Sequence, residues 1–204
     1  SGSRVTDAWK KSGDNWFYLD SSGDMAKSSV IEYDDDYYYV NSVGAMVSNE
    51  WREIPSDYEE EDSPETYWYY FQNNGKTSFK SIRKASGDWK KYAFDSEGRM
   101  LFGWVGEDSE RITGDEAWRE GVYYCGNSDD GAQVLNAWSL QEVDDPDTEE
   151  DNFDGTYWFY FGTNGKKVKD TTKTINGLKY RFNENGAAES EWYAKASTTT
   201  ASGS

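Results

Sequence analysis

The 204-residue sequence predicts an all-β fold, a solenoid of about seven stacked β-hairpin repeats of about 21 to 34 residues, and three observations predict it. The first is where the apolar mass lies. Leu, Ile, Val and Phe number only 29, which with a net charge of −18 is the composition of a disordered chain. Ten Trp, 16 Tyr and 9 Phe reverse that reading, because each ring buries on the order of 150 to 250 Å². The second is recurrence. Gly23, Gly44, Gly75, Gly98, Gly131, Gly165 and Gly186 each follow an aromatic cluster and a few turn residues, at spacings of 21, 31, 23, 33, 34 and 21. The third is alternation within each unit. Six positions before the glycine stands a ring: Phe17, Tyr38, Tyr69, Tyr92, Phe159 and Tyr180, with Tyr123 in the fifth unit if two extra residues are allowed there. Four positions before it stands Leu19, Val40, Phe71, Phe94, Cys125, Phe161 or Phe182.

Side chains alternate along a strand, so the sixth and fourth positions share one face, which the sequence assigns to the core. The seventh and fifth positions point the other way and are aromatic too: Trp16 with Tyr18, Tyr37 with Tyr39, Trp68 with Tyr70, and Trp158 with Tyr160. They predict a second, outward row of rings. The turns from Asp20 to Gly23, Gln72 to Gly75, Asp95 to Gly98 and Asn183 to Gly186 end in the residue that tolerates positive φ, and read as the hairpin turns. A second short strand is expected after each glycine, running to Trp51, Ile82, Trp104, Trp138 or Trp192. One hairpin of this size is only marginally stable alone, whereas a stack buries what each leaves open. No helix of consequence is expected. The repeats occupy one domain, residues 8–193, between a flank at 1–7 and a Ser/Thr-rich tail at 194–204 that reads as a linker.

Composition also excludes chemistry. With no histidine there is no imidazole base, no Ser-His-Asp or Cys-His nucleophile and no ordinary zinc site, and one cysteine allows no intrachain disulfide. No apolar run approaches the roughly 20 residues of a membrane span, so membrane insertion is not expected. The acidity is confined: insertions at 52–66, 105–121 and 139–157 hold 21 of the 39 acids and 3 of the 21 bases, leaving 18 of each elsewhere. These loops read as solvated, protecting an aromatic surface from edge-to-edge association, and no basic stripe suggests nucleic acid. The run from Asp144 to Asp154 has the oxygen donors of a calcium loop without its sixth-place glycine, and no pair of acids is singled out for glycoside hydrolysis. The expectation is no catalytic residue, no metal and no cofactor. Cys125, at a core position, reads as a small buried hydrophobe.

The strings Trp16-Phe17-Tyr18-Leu19 with Gly23 and Met25, Trp68-Tyr69-Tyr70-Phe71 with Gly75, Gly103-Trp104, and Thr174 to Phe182 with Gly186 resemble the cell-wall-binding or choline-binding repeats of Gram-positive surface proteins and lysins. Relatives of that family include glucan-binding repeats and the C-terminal repeats of large clostridial toxins, and the resemblance covers about residues 8–192. It implies a left-handed β-solenoid, extracellular and wall-associated, in which a quaternary ammonium sits among two Trp of one hairpin and a Tyr of the next. A cation over desolvated ring faces gains about 0.5 to 2 kcal/mol per contact. Carried over by position, the resemblance implies a complete cage of Trp9, Trp16 and Tyr39 with Met46 nearby. It implies two eroded cages, Trp51 with Trp68 facing Ala93, and Trp138 with Trp158 facing Arg181. Trp16→Ala is then expected to abolish a site and Trp158→Ala to matter little. The function expected is a non-catalytic module binding choline on teichoic acid or a wall polysaccharide. The alternative is a structural spacer, or a stalk for protein or host-glycan contacts. Open end faces leave a homodimer through a terminal hairpin undecided.

Overall fold

The structure, a computed structural model, describes residues 3–56, 63–77, 80–85, 88–189 and 192, with only the backbone for 80–85 and 88–89. The tail, residues 57–62 of the first acidic insertion and the side chain of Ile82 lie outside the described residues. Among the described residues, fourteen strands form seven two-stranded sheets, each made of sequence neighbours. They are β1 (Ala8–Ser12) with β2 (Asn15–Leu19), β3 (Ser29–Tyr33) with β4 (Asp36–Val40), and β5 (Glu50–Pro55) with β6 (Thr66–Phe71). Next come β7 (Lys80–Ala85) with β8 (Asp88–Ala93) and β9 (Trp104–Val105) with β10 (Tyr123–Tyr124). The last two are β11 (Ala137–Glu142) with β12 (Thr156–Phe161) and β13 (Thr171–Ile175) with β14 (Leu178–Phe182). The chain is thus an all-β array of hairpin repeats, as its aromatic frame predicts.

The hairpins do not close where the repeat glycines predict. Their tips are Gly13-Asp14, Asp34-Asp35 and Asn176-Gly177, and in the fifth and sixth hairpins the second and third acidic insertions. Asp34 and Asp35 have φ of 51° and 64°, and Asn176 and Gly177 have 52° and 84°, the left-handed pair that matches the twist of a two-residue hairpin. The turns ending at Gly23, Gly44, Gly75, Gly98, Gly165 and Gly186 follow each hairpin instead. Beyond them a single residue bridges back, as Met25 does to Leu19 and Met46 to Val40. Trp51, Trp104 and Trp138 then open the next hairpin, paired with Tyr70, Tyr124 and Tyr160. Trp192 joins no described strand.

Two compact units are distinguished. In the first (Ser1–Ser81 with Phe94–Met100), successive repeats are tied by one backbone bond each. Met46 N–H donates to Trp16 O, Thr77 N–H to Tyr37 O, and Met100 N–H to Trp68 O. The second unit (Ile82–Ala93 with Leu101–Ser204) continues the same rule: Gln133 N–H to Lys91 O, Lys167 N–H to Val122 O, and Ala188 N–H to Trp158 O. In every case the residue two past the repeat glycine meets the seventh-back residue of the preceding repeat, so one register governs all seven units.

Stacking explains the burial. The fourth-back column is the core: Val40, Phe71, Cys125, Phe161 and Phe182 are fully buried, and only Leu19 is half-exposed. The fifth-back row, expected to point outward, is nearly as hidden, with Tyr18 and Tyr160 buried. A hairpin in a stack has no outer face, because the row one hairpin turns away is covered by the next. Trp9 and Tyr18 of the first hairpin meet Tyr38 and Tyr33 of the second, and Tyr39 of the second meets Phe71 of the third. Among the indoles of the seventh-back row, Trp16 and Trp158 near the hairpin tips stay open, each keeping 40% of its surface, while Trp68 is half-buried.

The second and third acidic insertions, which join the two strands of the fifth and of the sixth hairpin, are more than solvated loops. A four-residue helix, α1 (Ala117–Glu120), buries Ala117 and Trp118 against Trp104, Phe159 and Phe161. Trp118 Nε1 donates to Asp144 O, and Asp145 accepts from both Arg119 (2.9 Å) and the Tyr157 hydroxyl (2.7 Å), clamping one insertion to the other.

Candidate functional site

Antiparallel pairing puts directly opposed residues on one face. In the first hairpin, Trp9 opposes Tyr18 and Lys11 opposes Trp16, so these four side chains share the face that the second hairpin covers. The second hairpin presents Tyr38 to it, with ring centroids 5.1 Å from Trp9 at 62°. The sixth hairpin repeats the plan. Trp138 opposes Tyr160 and Leu140 opposes Trp158, and Tyr180 of the seventh hairpin approaches Trp138 to 4.8 Å at 70°. Trp158 stands edge-on to Trp138 at 6.3 Å and 89°. Each junction therefore holds two Trp of one hairpin and one Tyr of the next, with an indole left open to solvent.

The third ring comes from the sixth-back column. Tyr39 sits on the opposite face, under the Arg52 guanidinium at 5.6 Å and beside Phe71. Arg181, similarly, opposes Thr172 on the far face of its hairpin and pairs with Asp170 at 3.2 Å. Met46 lies over the third repeat's turn. Gly75 has φ of +84°, and a Cβ there would fall 2.6 Å from Met46 Sδ, so glycine is required twice over, by backbone and by space. Trp51 packs against Tyr70 and Phe94, while Trp68 is half-buried on the same face of its hairpin. The structure thus brings together Trp9 and Trp16 on one face, and likewise Trp138 and Trp158. It turns the Tyr39 ring toward the third hairpin and the Met46 side chain over Gly75, although the Met46 backbone N–H donates to Trp16 O. Sequence reasoning missed Tyr38 and Tyr180, which the fixed sixth-back ring column already marked.

The junctions differ in what sits on their rings. Lys11 Nζ lies 6.0 Å from the Trp16 ring. Between the fifth and sixth repeats the cation is internal: Lys167 Nζ lies 5.2 Å from Trp104 and 5.7 Å from Phe159 and donates to the α1 carbonyls of Trp118 (2.7 Å) and Arg119 (3.3 Å). Burial pushes the Lys167 pKa down to about 7, with the nearby Lys169 charge adding to the shift. Among the described residues, no basic side chain lies over Trp138, Trp158 or Tyr180. Burial raises the Tyr18 and Tyr38 hydroxyls at the first cage, which keeps both neutral. Among the described residues no three metal-binding side chains converge; Asp145 is spent on Arg119 and Tyr157.

Residues 5–51, the first two hairpins and the opening of the third, match the choline-binding repeat family. No curated protein matches the chain significantly by sequence. Solved structures do match in fold. Choline binding protein F from Streptococcus pneumoniae, crystallised in the presence of a tetrasaccharide-pentapeptide peptidoglycan analogue, superposes with a TM-score of 0.57 at 23% identity, over 90% of this chain and 46% of that one. The modular autolysin LytC from Streptococcus pneumoniae gives 0.54 at 22% identity, over 92% of this chain and 35% of that one. At such identity the likeness establishes the hairpin-repeat fold, and the chain spans less than half the length of either protein. The hairpin register, one backbone bond per junction, continues beyond residue 51.

Proposed function

We propose that the chain is a non-catalytic, wall-associated module of a Gram-positive surface protein that binds choline, carried on an envelope polymer, between successive hairpins. The observation that carries this reading is the junction where Trp158 and Tyr180 both meet Trp138, with the Trp158 indole left open and, among the described residues, no basic side chain over these rings. Ring faces attract a quaternary ammonium that water solvates weakly, and a protein cation in the same place would repel it. The first junction, Trp9 with Trp16 and Tyr38, is the second site and the weaker one, because Lys11 stands beside its exposed indole. Two sites on one polymer give avidity that neither gives alone.

Tryptophan fluorescence titrated with choline tests this. A saturable change is expected, Trp158→Ala should weaken it at least about 10-fold, and Trp16→Ala should remove only a weaker phase. Ethanolamine, a primary ammonium that water holds tightly, should compete poorly. No saturable response to choline would overturn the assignment, and silence with wall polysaccharide as well would leave the spacer or stalk.

A further inference from the structure

The two acidic insertions of the second unit, residues 105–121 and 139–157, hold 14 acids and two bases. Both bases are engaged. Arg119 pairs with Asp145 at 2.9 Å and Glu116 at 3.2 Å, and Arg111 lies 4.0 Å over the Phe102 ring. Free loops of one charge would repel each other and spread. Here Trp118 on Asp144, with Arg119 and Tyr157 on Asp145, holds them side by side. Their ordering is completed in folding, so binding need not supply it.

Between the two loops lies an open cleft of about 280 Å³. Its floor is indole and aliphatic, from Trp104, Trp118 and Val143. Asp115 stands on the wall before α1, and Glu142 and Asp144 on the wall at the end of β11. These three acids are exposed and enter no ion pair among the described residues, and they do not converge as a metal site. What the cleft takes follows from which groups it offers. Trp104 keeps 8% of its surface and Trp118 3%, so neither shows an open ring face on which a sugar or a quaternary ammonium would stack. The carboxylates accept hydrogen bonds, and a quaternary ammonium has none to give. The fitting occupant joins an aliphatic stem, laid along the apolar floor, to a terminal group rich in N–H donors. That is a lysine or arginine side chain. One surface ion pair holds little by itself, so a free amino acid is a poor ligand, whereas a run of basic residues meets the cleft and the acidic loops together.

We propose that the cleft between α1 and the end of β11 seats a lysine or arginine side chain from a basic segment of a partner protein, which the clamped acidic loops steer and flank. The cleft shares no residue with either ring cage, so this docking surface is independent of choline binding.

The test titrates the full chain with a fluorescently labelled peptide of four Arg-Gly pairs, amidated at its C-terminus, and reads anisotropy at low ionic strength. The variant Asp115→Asn/Glu142→Gln/Asp144→Asn removes the charges at the cleft. The control Asp108→Asn/Glu149→Gln/Asp151→Asn removes as many from exposed positions of the same loops outside it. The cleft variant should lose roughly 5- to 30-fold in affinity, the scale of three ion pairs, and the control at most about twofold, with all binding weakened by added salt. Equal losses would reduce the effect to the general field of the loops and overturn the proposal, as would the lack of saturable binding. Location is read in the unaltered chain by the Trp118 indole N–H resonance, which should move with the peptide and stay in place with choline. A Trp118 signal that ignores the peptide, or that choline moves as far, would overturn the proposal too.

Discussion

The first-to-second and sixth-to-seventh junctions are built from the same three rings and differ in the residue facing the open indole. Lys11 opposes Trp16, whereas Leu140 opposes Trp158. In the first case the protein supplies its own cation to the ring; in the second an aliphatic side chain faces it, and among the described residues no cation lies over it. The fifth-to-sixth junction carries the idea further, since Lys167 is buried on Trp104 and Phe159 and anchored to α1. One cross-strand position, and one position just past the repeat glycine, thus decide whether a junction is open, contested or self-filled.

Breaking the comparison at its root means removing the indole that builds the cage. Trp138 touches Trp158, Tyr160, Tyr180 and Phe182, so Trp138→Ala should cost about 3 to 5 kcal/mol, seen as a large fall in the urea midpoint, together with loss of the site. Trp158→Ala, at the exposed rim, should lose binding with a far smaller fall. Similar falls for both would mean that Trp158 is structural. A sharper and smaller test exchanges the facing residues. Leu140→Lys should weaken choline at the sixth junction by roughly 3- to 10-fold and Lys11→Leu should strengthen it at the first by a like factor, read in the same fluorescence titration. Unchanged affinities would remove the facing residue from the account.

The smallest effect concerns Lys167. Its folded pKa lies near 7 against an ordinary 10.5, so between these values the unfolded chain holds a proton that the folded one lacks, and stability should rise as the pH goes from 7 to 9. Above that range the sign turns. Cys125, Tyr69 and Tyr157 are each pushed up to about 12 by burial, and stay protonated in the folded chain while the unfolded chain ionises. Urea midpoints across pH 7 to 9 should show the rising arm in the full chain and a flat one in Lys167→Met. A rise that persists in the variant would assign it elsewhere.

The frame of the fold was legible because two signals are local: period-two alternation and a residue that accepts positive φ. The fully buried Phe71, Phe161 and Phe182 were found by counting back from their glycines. What misled was treating those glycines as hairpin tips while Asn176-Gly177, a strong two-residue hairpin signal, stood in plain view. That choice left one face of each strand looking outward and offered Tyr39 in place of Tyr38 as the third ring. Which row meets the preceding hairpin is a property of the stack, not of any strand alone. The α1 turn and the Lys167 anchor were illegible for a related reason. Each depends on partners far along the chain, Trp118 on Asp144 and Lys167 on Trp118, and their only local trace was an indole in an otherwise acidic loop.

Cys125, wholly enclosed among Ala93, Leu101 and Val105, gives the second unit a native clock. Alkylation requires both access and a thiolate, and the closed state offers neither, so a maleimide can react only during excursions that pry the fifth repeat apart. The labelling rate of this single sulfur would report, without any engineered probe, how often the array breathes and whether an occupied cage stills it.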